Sequence, residues 1–220
     1  MSKVDRDLVD RDLAVRLVAA AARRVHDHQE MLSQLDAVAG DGDHGVNMST
    51  ALGEADRRAG QGDQATAAEV FKAAGSAFHD TVGGAAGALF GAFFRAVAGG
   101  LGRSAEPGPA DLVAGLEKGV ARVTRVGRSE PGQKTMLDAM APAVSAARTT
   151  REAGGTLASV LRSAAEAARD GAGATAAMRP SAGRARYASD RSLGTEDPGA
   201  NTVALIFEAW ADEISGGKHE

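Results

Sequence analysis

Three carboxylates crowd into eight residues of this chain. Asp36, Asp41 and Asp43 lie in the run Leu35-Asp36-Ala37-Val38-Ala39-Gly40-Asp41-Gly42-Asp43-His44-Gly45-Val46-Asn47. Like charges at such spacing repel and raise one another's pKa unless a cation compensates. Carboxylate oxygens are hard ligands, suited to Mg²⁺ or Ca²⁺ rather than to zinc or copper. A calcium EF-hand loop counted from Asp41 needs glycine at its sixth position and glutamate at its twelfth, where this chain has Val46 and Leu52. Magnesium, which binds through a few carboxylates plus phosphate oxygens, fits better. The competing explanation is an Asp/Gly turn whose acids cap the following helix.

Other segments offer anion-binding chemistry. Gly83-Gly84-Ala85-Ala86-Gly87 opens a helix with small residues, whose free N–H groups and dipole favour an anion. The alternative there is a plain Gly-rich helix boundary. Arg184, Arg186 and Arg191 have the forked geometry that grips phosphate, although isolated loop arginines are mostly solvated. His44 adjoins the acidic run; His26, His28, His79 and His219 read as surface residues. Two motif matches mislead. Gly40, Gly42 and Gly45 satisfy G-x-G-x-x-G, but that fingerprint needs a preceding strand, and a helical pattern precedes it here. The run GRSEPGQKT at 127–135 approaches a P-loop, yet Gln133 displaces Lys134 by one position and no strand leads in.

The elements that must position these residues are helical. Aromatics make up only 4% of the 220 residues, alanine supplies roughly a fifth of the chain, and period-2 strand patterns are hardly present. Apolar residues at three- and four-residue spacings predict helices over about 6–35, 46–58, 66–81, 87–98, 110–126, 135–148, from 156 to 171 or shortly beyond, and from Pro198 onward, the last opened by the N-cap Asp197. Eight helices with modest loops predict an all-α, up-and-down antiparallel bundle or barrel in a single domain, residues 1–220. In that topology the loops 36–45, 83–87, 127–135 and 178–198 emerge at one end, and nearly every chemically interesting residue lies in them.

Composition narrows the function. A net charge of −4 argues against general nucleic-acid binding, which requires a Lys/Arg excess. The absence of cysteine removes disulfides, thiolate nucleophiles and Cys-type zinc sites. No run of about 18 apolar residues predicts a membrane span, and the first residues, MSKVDRDLVDRDL, lack a secretory h-region. A cytoplasmic protein is expected.

A carboxylate cluster suited to magnesium, glycine anion sites and arginines at one end add up to a nucleotide phosphate site. In LDAVAGDGDHGVNM (35–48), VGGAAGALFG (82–91), GRSEPGQKTMLDA (127–139) and GRARYASDRSLGTEDPGA (183–200), the chain resembles the L subunit, the nucleotide-binding half, of the dihydroxyacetone kinase family. The resemblance implies an eight-helix barrel with nucleotide at one end. By the family motif, Asp36, Asp41 and Asp43 hold two Mg²⁺ ions that bridge the phosphates of ADP or ATP. His44 and Asn47, with Gly45 and Val46 between them, contact the phosphates, and Ala85 and Ala86 line the phosphate pocket. Gly127 and Met136 meet the nucleoside end, Arg184 reaches the phosphates, and Asp197, Pro198 and Gly199 close the site.

The same resemblance implies partners. A K subunit holds the ketose, and in phosphotransferase-system versions a phosphohistidine-carrying M subunit recharges resident ADP. It leaves open a homodimer, a directly ATP-dependent kinase of dihydroxyacetone or erythrulose, and a non-enzymatic ADP-loaded regulatory module. Three departures stand out: Ala86 where the family usually has Ser, Gln133 where it usually has Asp, and Arg186 where it has a small residue.

Overall fold

The computed structural model describes residues 7–182 and 191–216. Among these, the chain forms α1 (Arg11–Asp27), α2 (Gln29–Ala37), α3 (His44–Gln61), α4 (Ala67–Thr81), α5 (Gly84–Leu101), α6 (Pro109–Gly127), α7 (Leu137–Glu152), α8 (Leu157–Ala174) and α9 (Pro198–Ser215), with a 3-10 turn at Thr175–Ala177 and no strand. The all-α expectation holds. The count of eight does not, because the first predicted helix is two.

The break falls at His28, where no glycine or proline warns of it. Its ring Nδ1–H donates to the Arg24 carbonyl at 2.8 Å, taking an acceptor on which the helix ladder would otherwise draw. The backbone leaves helical geometry there, at φ −107° and ψ 13°. The short α2 then packs on α3 and α9.

Helices α1 and α3 to α9 form a ring in which each packs on the next, and α9 returns to α1. All six phenylalanines and the single tryptophan meet inside it. Phe71, Phe78, Phe90, Phe93, Phe94, Phe207 and Trp210 are joined by ring contacts between 5.3 and 6.3 Å. Trp210 Nε1–H donates to the Leu17 carbonyl at 3.1 Å, so the buried indole is satisfied while it closes α9 onto α1. Elsewhere small residues let helices approach. A Cβ on Gly100 of α5 would collide with Gly115 of α6.

Helix α5 is longer than its pattern suggests, running to Leu101. At 18 residues and a mean hydropathy of 1.4 it is long and apolar enough to cross a membrane by length and composition alone, a test that a buried core helix also meets. Half of it is buried within the protein, and Arg95 interrupts its apolar run.

Candidate functional site

The four loops predicted to share one end line a single cavity of about 390 Å³. Asp36, Asp41, Asp43, His44 and Asn47 reach it from the α2–α3 junction. Ala85 and Ala86 come from the start of α5, Gly127 and Met136 from the α6–α7 loop, and Asp197, Pro198 and Gly199 from the start of α9.

At the acidic corner, one carboxylate oxygen from each of Asp36, Asp41 and Asp43 lies within 4.8 Å of the others. The backbone enforces this. Gly42 adopts φ +78°, a conformation open to glycine, and its N–H donates to Asp36 Oδ2 at 2.9 Å. A Cβ on Gly40 would collide with the Asp36 carboxylate. Asp36 also sits in the last turn of α2, where the helix dipole disfavours a negative charge. Burial raises its pKa, and Asp41 and Asp43 add to the rise against the opposing Gly42 bond. Three hard oxygen donors, one of them destabilised as an anion, fit a divalent cation such as Mg²⁺.

His44 opens α3 next to this corner. Thr202 Oγ1 donates to the Pro198 carbonyl at 3.0 Å, so it acts as acceptor for His44 Nε2–H at 2.8 Å. That assignment leaves Nδ1 as the acceptor nitrogen. Burial lowers the pKa of His44 to about 4, so near neutral pH the ring is uncharged. Two helices begin at the cavity without a side-chain cap: α3 behind Asp43 and α5 behind Gly83. Their first N–H groups have no partner within the helix and carry the positive end of the dipole toward the cavity.

The opposite wall is tied together by a lysine. Lys134, only 3% exposed and at φ +59°, donates from Nζ to the Ser192 carbonyl at 2.6 Å and the Met178 carbonyl at 3.3 Å. It thus holds the α6–α7 loop against the segment before α9, and burial lowers its pKa. Asp138 folds the same loop onto α7 by accepting from Thr135 N–H at 2.7 Å and from Gly132 N–H. Asp197 caps α9 through Ala200 N–H at 2.7 Å. Burial pushes its pKa up to about 7, with Asp138 adding to the rise and Lys134 opposing it.

Two predicted residues do not line the cavity. Gly45 is buried against α2, where a Cβ would collide with the Gln29 carbonyl, and Val46 faces solvent at 49% exposure. Arg184 lies outside the described residues, as does Arg186; Arg191 is exposed. Sequence reasoning missed Lys134 and Thr202. Lys134 had a signal: a cation inside a Gly-rich loop, set aside with the rejected P-loop match.

A family model described as the DAK2 domain matches residues 38–212. The ADP-binding subunit DhaL of PEP-dependent dihydroxyacetone kinase 1 from Listeria innocua is 33% identical, over 91% of this chain and 95% of its own length. A D-erythrulose kinase from Mycolicibacterium smegmatis is 39% identical over 92% of this chain, which spans only 35% of that protein. The crystal structure of the dihydroxyacetone kinase from C. freundii in complex with AMP-PNP and Mg²⁺ superposes with a TM-score of 0.73 at 26% identity, covering 97% of this chain and 36% of that one.

Proposed function

The chain belongs to the DAK2 domain family, and from that premise we propose that it is the nucleotide-holding phosphotransfer subunit of a ketose kinase. It holds ADP or ATP with two Mg²⁺ ions and passes a phosphoryl group to dihydroxyacetone on a K-type partner. One observation carries the reading. The end of the ring where α3 and α5 start without a side-chain cap is also the end where three aspartates converge, in one cavity, among the described residues.

Each residue group has a task that follows from its chemistry. Asp36, Asp41 and Asp43 hold the metal, which when bound neutralises charge on the phosphate oxygens. The N–H groups at Gly83, Gly84, Ala85 and Ala86 donate to phosphate, as does the side-chain amide of Asn47 at the start of α3. His44, neutral and aimed by Thr202, accepts or orients a polar group without adding charge. Gly127 and Met136 flank the nucleoside end, and Asp197, Pro198 and Gly199 form the wall that Lys134 braces. Phosphoryl transfer asks mainly for positioning and charge stabilisation, and these groups supply both. Gly45 and Val46 contribute through the backbone of α3, and to Arg184, outside the described residues, we assign a phosphate contact.

For the phosphoryl donor we assign a phosphohistidine-carrying M subunit. The support is likeness to subunits named PEP- or PTS-dependent, including that of Lactococcus lactis at 26% identity over 98% of its length. A second reading, direct use of ATP on erythrulose, is favoured by the resemblance to the D-erythrulose kinase. The test combines the purified chain with its K-type partner, either ketose, and Mg·ATP or the recharging proteins. Formation of ketose phosphate that stops with EDTA is expected; no transfer to either ketose from either donor overturns the reading.

A further inference from the structure

A second depression, of about 670 Å³, lies between the solvent-facing sides of α5 and α6. No carboxylate lines it, and four cations do: Arg95, Lys118, Arg122 and Arg125. On a chain of net charge −4 this is a local inversion of sign. Arg95, Arg122 and Arg125 are exposed and join no ion pair with a described residue, while Lys118 Nζ donates to the Gly99 carbonyl at 2.9 Å. Such a concentration of like charge is costly unless something anionic offsets it.

The shape defines the anion. Lys118, Arg122 and Arg125 stand at i, i+4 and i+7 along one face of α6. Arg95 stands on the α5 side, and the floor between is Ala88, Ala92, Ala96 and Gly99. From Gly87 to Gly99 the trough is about 18 Å long, three to four helical turns. Charged rows at helical spacing over a floor of small residues match an α-helix that carries acids along its flanks. A single phosphate group would engage one or two arginines and leave the others unpaired. A bilayer surface would not enter the trough.

We propose that this groove seats an acidic helix of the ketose-binding K-type partner. The assignment rests on the functional reading above. Ala88 and Val126 line both this groove and the nucleotide cavity, so the two adjoin at one end. For in-line transfer the ketose-holding protein must cover the cavity mouth, and an arm of it can then run down the trough.

The experiment titrates the K-type partner into the whole chain with Mg·ADP present, by calorimetry, for wild type, the triple variant R95E/R122E/R125E and Ala121→Trp. The first variant reverses the charge; the second, at an exposed α6 residue that also lines the trough, fills it without touching charge. Both are expected to weaken the complex by about tenfold or more, with Mg·ADP affinity of the free chain unchanged. Raising salt from about 0.05 to 0.5 M should weaken the wild-type complex far more than that of the triple variant. A wild-type complex that both variants match overturns the groove assignment and leaves the functional reading standing. So does a triple variant that loses only self-association, or only binding to phosphatidylglycerol vesicles. Absence of any wild-type complex overturns the functional reading and this inference with it.

Discussion

The two ends of the ring treat most of their helix starts differently. At the end away from the cavity α1, α4 and α8 start on a side-chain cap, and at α6, whose N-cap is Gly108, Asp111 reaches back to the N-cap N–H. Asp10 accepts from Leu13 N–H, Thr66 and Glu69 form a reciprocal box, Asp111 accepts from Gly108 N–H, and Thr156 and Asp7 accept from Ser159 and Leu157 N–H. At the cavity end α3 and α5 start bare, α7 has only the Thr135 hydroxyl on Leu137 N–H, and α9 is capped by Asp197. Each missing cap forgoes about 1 kcal/mol. The difference separates the end that holds the fold together from the end that keeps its donors for a ligand.

That contrast can be broken by mutation. Asp41→Ala should reduce phosphoryl transfer on the order of 1,000-fold, the worth of several kcal/mol of charge stabilisation, and leave the melting temperature nearly unchanged. Retained activity would remove Asp41 from the metal site. Gly40→Ala pushes on Asp36 through its new Cβ, so Mg²⁺ affinity by calorimetry should fall about tenfold. Ala86→Ser adds a donor at the bare start of α5 and should tighten nucleotide binding about 2- to 10-fold. Thr66→Ala, at the far end, should cost about 1 kcal/mol, or about 2–4 °C in melting temperature, with transfer rates untouched.

A separate prediction concerns pH. Asp197 has a folded pKa of about 7 against an unfolded value of about 3.9. Between these values the folded state holds the proton and the unfolded state does not, so this group's contribution to stability falls as pH rises through the window. Asp197→Asn keeps an N-cap and removes the titration. Its melting temperature relative to wild type should therefore be higher at pH 8 than at pH 5; the reverse order would contradict the assignment.

Much of this was legible because its causes are local. Glycines at 40 and 42 and aspartates at 36, 41 and 43 announce a turn that gathers charge, and helix parity alone sends the loops beginning at 36, 83, 127 and 178 to one end. The break at His28 was not legible, since it comes from a ring nitrogen taking the Arg24 carbonyl within a helix-like sequence. Thr202 was hidden in the same way: it meets His44 only through a contact 158 residues long in sequence. Lys134 was visible as a cation but not as a brace, because its partners are carbonyls 44 and 58 residues away. Val46 and Gly45 were assigned by adjacency, and the helical turn of α3 carries them away from the cavity.

The measurement that tests the central claim most directly is ADP binding to the purified chain, by calorimetry, with Mg²⁺ and again with EDTA. The account predicts binding near one ADP per chain with Mg²⁺ and its loss with EDTA, because the bare helix starts and the three aspartates hold the phosphates only with a cation between them. Equal binding in EDTA, or none in either condition, would contradict it.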